Sequence, residues 1–497
     1  MIKFYLIGHE FEYEVRNVFR IFDLNSDIEL NYVSTNSIKL SNFKDDLLTV
    51  YSELIEKNGS FYGSARLFKG NTLINERTIN SDDIIIEKAD EKKLKKTIVK
   101  KSLYYILSKF YDIKAEYGFL TGIRPNKILT LAISNGFSDE EAKAILRNTY
   151  EVNEEKIELL YNIYLIQKKY IAKEENLKNY NLYIGIPFCP TKCIYCSFVS
   201  FTKYDKHEVD KYVQTLKVEI EETIKLAIRS GLALNTIYFG GGTPSVLSCE
   251  NIDDIFGIIR KYYDIDKVKE ITFEAGRPDT ITEELLSCIK KNGVNRISIN
   301  PQTMNDNTLK AISRRHTVQN IIDVYNLART YDFDSINMDL IIGLPGECAD
   351  DVNNSIERVI DLKPDNITIH ALAYKKGSKL FNSTKNLSKD YDMVESMYHI
   401  TKENCINSNY IPYYMYRQKN IKANLENVGY CINGKESIYN IVIIEEIETI
   451  LACGAGAVSK ILKGNNRHER VQNYKNLEDY NENIQKNIKE KEIILFS

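Results

Sequence analysis

The sequence predicts an α/β protein with a parallel β-sheet at its centre and a separate region on each side of it. The chain has 497 residues, which is too long for one ordinary domain. Its composition, 43% hydrophobic and 27% charged, is that of a folded globular protein rather than a disordered or fibrous one. From Asn181 onward, short apolar runs alternate with amphipathic segments, which is typical of βα units in a parallel sheet. Periodicity alone leaves an open doubly wound sheet and part of a barrel as alternatives.

Six βα units make up the predicted sheet. The strands are expected at residues 182–186, 236–239, 270–274, 296–300, 335–342 and 366–370, and the helices at residues 208–228, 251–262, 282–292, 318–331 and 350–362. We therefore predict three domains: an N-terminal α+β accessory domain (1–172), the α/β sheet domain (173–390) and a mainly helical C-terminal region (391–497) that covers the substrate.

The N-terminal region carries few glycines and no recognisable catalytic motif. Two alternating stretches, residues 61–67 and 83–87, predict strands, and residues 91–110 predict a helix. Six lysines of this helix are compatible with a polyanion site: Lys92, Lys93, Lys95, Lys96, Lys100 and Lys101. Apolar residues alternate with them at helical spacing, so we favour the solvated face of an amphipathic helix.

Charge and hydropathy exclude several classes of protein. Lys+Arg number 66 and Asp+Glu 69, a net charge of -3, so the chain has no overall basic field for nucleic acid. No apolar run approaches the length of a membrane-spanning helix. The N-terminal residues meet charge too early for the core of a signal peptide. Because nine cysteines are too few for a disulfide scaffold, we predict a cytoplasmic protein whose cysteines serve metal or redox chemistry.

Three of the cysteines lie close together directly after the first predicted strand. Cys189, Cys193 and Cys196 have C-x3-C-x2-C spacing. Thiolates hold iron–sulfur clusters, and three of them bind three irons of a four-iron cluster, leaving the fourth iron for a substrate or cofactor. A structural zinc site is one alternative, but it normally needs four ligands in two C-x2-C pairs. Three inert buried thiols are the other, and protein cores rarely place three of them in one loop.

The segment YIGIPFCPTKCIYCSF, with Tyr195 before the last cysteine, resembles the signature of radical S-adenosylmethionine (SAM) enzymes. It is most similar to the branch of oxygen-independent coproporphyrinogen III oxidase. Within that branch, the N-terminal extension and residues 413–431 most resemble the coproporphyrinogen dehydrogenase HemZ group. The resemblance covers residues 181–460. It implies an incomplete (β/α)6 barrel, a [4Fe–4S] cluster on the three cysteines, and SAM as cofactor. Whether one or two SAM molecules bind stays open.

Further predicted site residues lie where strands end, and ligands bind at the C-terminal ends of parallel strands. Three glycines follow the second strand, where backbone without side chains lets a ligand approach closely; a plain tight turn is the alternative. By resemblance, the SAM contacts are Gly241, Gly242, Thr243, Glu274, Gln302, Arg314, Asp339 and Ile341. Taken singly, Glu274 and Asp339 could also be ordinary exposed carboxylates at strand ends. Arg315 is the alternative to Arg314 as the arginine that contacts SAM. Tyr183 is the predicted catalytic residue, because relatives active on porphyrins have tyrosine there; a half-buried strand tyrosine is the alternative.

The resemblance implies a radical oxidoreductase of porphyrin and heme biosynthesis. A ferredoxin or flavodoxin reduces the cluster, which then donates an electron to SAM. The resulting 5′-deoxyadenosyl radical abstracts hydrogen from a propionate of coproporphyrinogen III. Loss of carbon dioxide and one electron leaves a vinyl group, and two rounds give protoporphyrinogen IX. The anionic substrate requires basic groups, for which Arg417 and Lys419 are candidates beside Tyr413, Tyr414 and Tyr416.

Two positions depart from the oxidase pattern and keep other functions open. Gly185 stands where the oxidases have His, and Phe198 where they have a further Cys. A heme-binding chaperone of the same family is the first rival, although its HNxxYW string corresponds to residues 426–431, which lack the His and the Trp. A radical SAM enzyme acting on another substrate and a regulatory module with a vestigial cluster are the others. Residues His207, His316 and His370 are interpreted as structural.

Overall fold

The structure is a computed structural model that describes residues 2–23, 26–33, 47–122, 124–171, 174–375, 377–382, 391–418, 421, 425–463 and 467–497. The chain divides into two compact units, Met1–Leu165 and Ile166–Ser497. The three-domain division at residues 172 and 390 stays a prediction. None of the helices in the described ranges is long and apolar enough to cross a membrane.

The first unit is an α+β fold built on a five-stranded sheet. Its strands are β1 (Ile2–Ile7), β2 (Ile28–Val33), β3 (Leu48–Lys57), β4 (Ser60–Lys69) and β5 (Thr72–Asn80). Its helices are α1 (Glu12–Phe19), α2 (Glu91–Tyr111), α3 (Asn126–Ser134), α4 (Asp139–Ala144) and α5 (Glu154–Gln167), the last of which runs into the second unit. The strand order is β2-β1-β3-β4-β5. Strand β1 is parallel to both neighbours, and β3, β4 and β5 are antiparallel.

Helix α2 has the amphipathic character that its sequence predicts. Ile98, Leu103 and Leu107 are buried, and a Cβ on Gly63 of β4 would lie 2.9 Å from the Ile98 carbonyl oxygen, so the helix backbone packs directly on the strand. Four lysines pair with carboxylates of the same unit: Lys93 with Glu87, Lys95 with Glu91, Lys96 with Glu14 and Lys101 with Glu151. Because these lysines already pair with carboxylates, they do not favour a polyanion site, but their side chains are 16–35% exposed and the face is only partly solvated.

The strand predicted at residues 83–87 is wrong. After β5 the chain makes a short 3-10 turn, Ser81–Asp83, and leaves the sheet. The carboxyl group of Glu87 is buried and accepts a hydrogen bond from the Tyr150 hydroxyl at 2.8 Å. Residues 83–87 mix buried and exposed positions because they pack on helical segments, and the Glu87 carboxylate points inward. Such a pattern is also typical of a strand, but within the described part of the chain no neighbouring strand pairs with these residues.

The second unit contains one mixed sheet of eleven strands among its described residues. The strands are β6 (Asn179–Ile186), β7 (Ala233–Gly241), β8 (Glu270–Glu274), β9 (Arg296–Ser298), β10 (Ser335–Ile342), β11 (Asn366–Ala371), β12 (Ile411–Tyr416), β13 (Asn427–Cys431), β14 (Thr449–Cys453), β15 (Val458–Lys463) and β16 (Arg467–Gln472). Strands β6 to β11 lie side by side in chain order and pair in parallel. All six predicted strands are therefore confirmed.

Helices follow five of these strands, as predicted. They are α6 (Lys206–Arg229), α7 (Cys249–Arg260), α8 (Glu283–Lys291), α9 (Asp306–Ala311), α10 (Val318–Arg329) and α11 (Ala349–Asp361). Each long helix buries one apolar stripe, and side-chain caps fix where several begin. Asp205 and Glu208 form a reciprocal capping box at the start of α6, and the Thr317 side chain caps α10. Because the strands are parallel, the loops that lead from strands to helices lie at one edge of the sheet.

The C-terminal region contributes strands that the sequence analysis did not predict, besides the helices α12 (Tyr391–Asn407), α13 (Ile438–Glu445) and α14 (Leu477–Phe496). Strands β13 and β12 extend the sheet antiparallel beyond β11. Strand β14 pairs in parallel with β6 on the other side, and β15 and β16 follow it. The strand that carries the cysteine loop is therefore internal, with β7 and β14 as its neighbours.

A buried ion pair joins α14 to α6. Lys491 Nζ lies 2.6 Å from Glu219 Oε1, and both side chains are 0% exposed. The Glu219 carboxylate also accepts hydrogen bonds from the Tyr480 hydroxyl, the Asn473 amide and the Gly454 backbone N–H. A buried charge pair is stable only when its remaining hydrogen bonds are made, as they are here. The pair thereby fixes the C-terminal helix beside the turn that follows β14.

Candidate active site

One cavity of about 640 Å³ contains the predicted site. It is lined by side chains from all six parallel strands, β6 to β11, as the interior of a partial barrel would be. All twelve predicted site residues line it: Tyr183, Cys189, Cys193, Cys196, Gly241, Gly242, Thr243, Glu274, Gln302, Arg314, Asp339 and Ile341. The volume lies within the range of small-molecule sites.

The cysteine loop, residues 187–205, joins β6 to α6 and is held by backbone hydrogen bonds. The Gly242 N–H donates to the Ile186 carbonyl at 2.7 Å, and the Thr243 N–H donates to the Phe188 carbonyl at 2.8 Å. Within the loop, the Cys189 N–H donates to the Phe201 carbonyl at 3.0 Å. The glycine segment after β7 therefore serves as the platform on which the loop begins.

Each of the three positions of this platform requires glycine for a different reason. A Cβ on Gly240 would lie 3.1 Å from Glu274 Oε2 and 3.2 Å from the Tyr183 ring. Gly241 has a φ of +102°, a conformation that side-chain-bearing residues rarely adopt. A Cβ on Gly242 would lie 2.6 Å from the Phe188 carbonyl oxygen. The plain tight-turn alternative does not account for these contacts, because they are made with the cysteine loop and the cavity.

The three thiols suit an iron–sulfur cluster better than zinc. A structural zinc site normally takes four ligands, and no fourth cysteine is among the described residues that line the cavity. Burial raises the pKa of Cys189 and Cys196, so metal binding must displace protons there. The Thr243 hydroxyl donates to Cys189 Sγ at 3.3 Å. A soft set of three thiolates, with no fourth cysteine beside it in the cavity lining, fits a [4Fe–4S] cluster.

Gln302 is held in a strained conformation at the site. Its φ is +70°, which is uncommon for a residue other than glycine. Its backbone makes two hydrogen bonds to β10: its N–H donates to the Asp339 carbonyl, and its carbonyl accepts from the Ile341 N–H, both at 2.9 Å. Strain of this kind persists where surrounding structure enforces it, which is frequent at functional sites. The side chain is 6% exposed and lines the cavity.

Arg314 is buried in the cavity wall, whereas Arg315 is exposed. Its guanidinium donates to the Asn300 carbonyl at 2.6 Å and to the Tyr195 hydroxyl at 3.3 Å. Burial disfavours the charge, but the neighbouring Tyr195 and Cys193 raise the pKa of Arg314, so it stays a cation. The Nε atom is buried without a hydrogen-bond partner among the described residues, which leaves one donor for an anionic ligand.

Glu274 and Asp339 have opposite protonation tendencies. Burial, with the Asp339 charge nearby, raises the pKa of Glu274 to about 7, although the Tyr238 hydroxyl donates to it. Burial also opposes the charge of Asp339, but hydrogen bonds from His370, Asn337 and Thr368 lower its pKa. Asn337 Nδ2 lies 2.7 Å from Asp339 Oδ1. At neutral pH, the first group exchanges a proton readily and the second is a fixed carboxylate.

The structure adds a basic group that the sequence analysis missed. Arg277 is 4% exposed. It donates to the Thr191 hydroxyl at 2.8 Å and to Cys193 Sγ at 3.9 Å. Its other two nitrogens bind Asp279 at 3.0 Å each, and His316 Nδ1 lies 3.3 Å from the same carboxylate. An arginine three residues after Glu274 at a strand end was the available signal. His316 supports this arginine and does not line the cavity.

Aromatic residues form a second missed feature. The Tyr183 ring stacks on Tyr238, with centroids 6.1 Å apart, and Tyr238 stacks on Tyr439 at 4.3 Å. The Tyr439 hydroxyl is buried and has no hydrogen-bond partner among the described residues. Since Tyr439 comes from α13, more than 250 residues after Tyr183 in the chain, no local pattern indicated this wall.

Other predicted residues lie elsewhere or only partly at the cavity. Tyr414 and Tyr416 line it, whereas Tyr413 and Arg417 are buried and do not. Lys419 lies outside the described residues. His370, interpreted from sequence as structural, lines the cavity, with Nε2 at 3.6 Å from Asp339 Oδ2. His207 lies in α6, is exposed and does not line the cavity.

Comparison with known sequences agrees with this site. The Radical SAM superfamily matches residues 183–359. The oxygen-independent coproporphyrinogen-III oxidase-like protein HemZ of Bacillus subtilis (strain 168) is 39% identical over 431 residues, which make up 84% of this chain and 84% of HemZ. The heme chaperone HemW of Lactococcus lactis subsp. lactis (strain IL1403) is 32% identical over 232 residues, 45% of this chain and 59% of HemW.

A solved structure shows the same fold. The coproporphyrinogen III oxidase HemN from Escherichia coli, a radical SAM enzyme, has a TM-score of 0.50 and 21% identity, over 63% of this chain and 70% of HemN. Radical SAM proteins use a [4Fe–4S] cluster and SAM, so the predicted fold class and cofactors are confirmed. Because the identity to HemZ extends over most of both chains, the protein belongs to the radical SAM family of oxygen-independent coproporphyrinogen-III oxidase-like proteins.

Proposed function

We propose that this protein is a radical SAM oxidoreductase that converts propionate side chains of coproporphyrinogen III into vinyl groups by oxidative decarboxylation. One observation carries the proposal: the three cysteines and the strand-end polar residues meet in a single cavity of about 640 Å³. The names of two relatives, HemZ and HemN, refer to coproporphyrinogen III oxidation and support this substrate class. The reaction would also need a one-electron donor, such as a ferredoxin or flavodoxin, to reduce the cluster, and a one-electron acceptor for the electron released with carbon dioxide.

The residues of the cysteine loop would hold the cluster. Cys189, Cys193 and Cys196 supply the three thiolates, while Arg277 and Thr243 donate hydrogen bonds to two of the sulfurs. Such hydrogen bonds and nearby positive charge stabilise the added negative charge of a reduced cluster. With SAM bound at its open iron, a reduced cluster supplies a carbon radical strong enough to remove hydrogen from an alkyl side chain.

The strand-end residues would bind and orient SAM. Gly241 and Gly242 present bare backbone beside the cysteine loop, and Arg314 keeps a buried donor for a carboxylate. Asp339 is a fixed acceptor for hydroxyl or ammonium groups, and Gln302 adds an amide. Gly241 and Asp339 lie in β7 and β10, Gln302 and Arg314 come after β9, and all of them line the same cavity, where they can act on one ligand. Residues on several rigid strands hold the ligand in the reactive orientation, which lowers the entropy lost when the reaction begins.

The tyrosine wall beside the glycines would shape the substrate pocket. Tyr183, Tyr238 and Tyr439 offer stacked aromatic faces that exclude water. Gly185, where the oxidases have His, faces Tyr183 and the β14 edge: a Cβ there would lie 3.3 Å from the Tyr183 ring and 3.4 Å from the Cys453 carbonyl. A histidine would have to displace these groups. Any proton transfer would therefore use other residues, such as His370 or Glu274.

An anaerobic assay tests the proposal. The protein is reconstituted with iron and sulfide, then incubated with reductant, SAM, coproporphyrinogen III and a one-electron acceptor, and the products are measured by mass spectrometry. Protoporphyrinogen IX together with 5′-deoxyadenosine is the expected result. Deoxyadenosine without any change in the porphyrinogen would contradict the substrate and favour a radical enzyme with another substrate. A reconstituted protein that forms no deoxyadenosine would contradict the enzymatic function itself.

A heme chaperone is the second candidate, favoured by the HemW relatives. Where that group has its heme-linked His, this chain has Glu426, which is 0% exposed and accepts a hydrogen bond from the Tyr398 hydroxyl. A buried carboxylate of this kind is a poor substitute for an imidazole heme ligand. Spectroscopic heme titration separates the two functions: tight stoichiometric binding, with no turnover of coproporphyrinogen III, would favour the chaperone.

A further inference from the structure

Six cationic side chains line the cavity, and two of them differ from the others. The six are Lys192, Arg277, Arg296, Arg314, Lys375 and Lys460. Arg277, Arg296 and Lys460 pair with carboxylates outside the cavity, at 3.0, 3.6 and 3.2 Å respectively, and Arg314 donates to carbonyl groups of the wall. Lys192 and Lys375 make no ion pair or side-chain hydrogen bond within the described part of the chain.

One of the two lysines lies within the cysteine loop and the other lies against it. Lys192 stands between Cys189 and Cys193 in the cysteine loop. Lys375 follows β11, and its Nζ lies 5.9 Å from the ring centroid of Phe198, which is 62% exposed. Both side chains are half-buried at the cavity, so their charges are less screened than those of surface lysines.

The segment that carries Lys375 is docked on the cysteine loop. The Leu380 N–H donates to the Ile194 carbonyl at 3.1 Å. A Cβ on Gly377 would lie 3.2 Å from the Ser197 carbonyl oxygen, so the two backbones touch there. This docking fixes Lys375 beside Ser197 and Phe198, the side of the loop where the chain departs from the oxidase pattern.

Lys375 also lies outside the set of strands that supply the proposed SAM contacts. Those contacts lie in or directly after β7, β8 and β10 or in the segment that follows β9, whereas Lys375 follows β11 at the end of the parallel series. The anionic carboxylates within the cavity, Glu274 and Asp339, are already bound by Tyr238 and by Asn337. Within the described residues, no carboxylate pairs with Lys192 or Lys375, so both lysines can bind an anionic ligand.

We propose that Lys375 and Lys192 form a carboxylate-binding site that anchors an anionic side chain of the substrate beside the cysteine loop. The inference rests on the proposed function, because it identifies the anion as a propionate of a tetrapyrrole. Ammonium–carboxylate hydrogen bonds are charge-assisted and strong in a half-buried site. Lysine is a point charge on a flexible stem, so the pair tolerates a range of carboxylate positions.

Porphyrin binding tests this site without relying on turnover. The reconstituted protein is titrated anaerobically with coproporphyrin III, a stable tetracarboxylate, and the dissociation constant is measured by fluorescence. Lys375→Ala should weaken binding about 10-fold, and the double variant with Lys192→Ala about 100-fold, if each contact is worth roughly 1.4 kcal/mol. Lys375→Arg should restore most of the affinity. Lys379→Ala is the matched control, because Lys379 is exposed, lies four residues away and does not line the cavity.

Two further measurements identify the anion that the lysines bind. The tetramethyl ester of coproporphyrin III has no carboxylates for the lysines to bind. Its affinity should therefore be equal for the unmodified protein and for Lys375→Ala. The affinity for SAM and the cluster absorbance should also be unchanged in the variants. A parallel loss of SAM affinity would overturn the inference by assigning the lysines to the SAM carboxylate.

The two proposals fail in distinguishable ways. Coproporphyrin III binding by the unmodified chain that persists in the double variant would overturn the lysine site alone. Absence of porphyrin binding by the unmodified protein, with SAM cleavage intact, would overturn both the tetrapyrrole substrate and the site built for it.

Discussion

Replacing Gly242 by alanine tests how the glycine platform supports the cysteine loop. The new Cβ would lie 2.6 Å from the Phe188 carbonyl oxygen, 2.8 Å from the Ile186 carbonyl oxygen and 3.1 Å from Cys189 Sγ. To lengthen the first contact from 2.6 Å to the 3.0 Å that real Cβ atoms require, the backbone must move by about 0.4 Å. Gly242 does not have a positive φ, so the effect is steric and not conformational.

The magnitude follows from two contributions. Overpacking a rigid site costs about 1–3 kcal/mol. The same displacement lengthens two backbone hydrogen bonds, from Gly242 to Ile186 at 2.7 Å and from Thr243 to Phe188 at 2.8 Å. Each such bond contributes about 0.5–1.5 kcal/mol, and we expect part of this to be lost. We therefore expect the free energy of unfolding to fall by about 2–4 kcal/mol, with reduced cluster binding because Cys189 is displaced.

Two assays check this result. Anaerobic urea denaturation of the metal-free protein measures the free energy of unfolding, and iron per chain after reconstitution measures cluster binding. Gly257→Ala is the matched control: Gly257 lies in α7, and no heavy atom lies within 4 Å of its added Cβ. That control should gain about 0.5–1 kcal/mol from helix propensity. A Gly242→Ala protein with unchanged stability and full iron content would refute the reasoning.

Three other predictions concern the cluster, the buried ion pair and the titrating carboxyl group. Cys193→Ser should abolish cluster absorbance and SAM cleavage while the far-UV circular dichroism stays unchanged; full iron content would contradict the assignment. Lys491→Ala leaves the Glu219 charge buried without its cation, so urea denaturation should show a loss of about 3–5 kcal/mol, whereas exposed Lys489→Ala should change stability by less than about 0.5 kcal/mol. Because the folded pKa of Glu274 is raised from 4.5 to about 7, the folded state binds the extra proton in that window. The free energy of unfolding should therefore fall as the pH rises from 4.5 to about 7. We expect a decrease of about 1–2 kcal/mol, because solvent in the cavity screens part of the effect. Glu274→Gln should remove that slope, and an equal slope in both proteins would show that another group titrates.

Much of the second unit follows from local sequence. Strands β8 and β10 begin and end where the apolar runs predict, and the other four parallel strands contain or overlap their predictions. Buried parallel strands are continuous apolar runs, and amphipathic helices with capping residues separate them, so each element is encoded within its own residues. Once the strands are parallel, their C-terminal ends share an edge, which is why polar residues scattered from Cys189 to Asp339 could be predicted to meet.

The remaining features depend on contacts between distant segments. Strand β14 returns to pair with β6 after more than 250 residues, and its short apolar run does not specify that partner. The Lys491–Glu219 pair spans 272 positions, and neither residue differs locally from the surface charges around it. The error at residues 83–87 has the same cause, since alternation describes a strand only where a neighbouring strand exists.

The sequence by itself determined the family and the order of βα units around the cavity, and it predicted the candidate cluster ligands, because these follow from short motifs and from periodicity within single elements. Only the tertiary structure decided which groups surround those motifs: Arg277 on Cys193, Tyr439 against Tyr238, the left-handed Gln302, and the two unpaired lysines. Hydrogen bonds, stacking and burial act over a few ångströms in space, and the chain brings those partners together only when the whole sheet has formed.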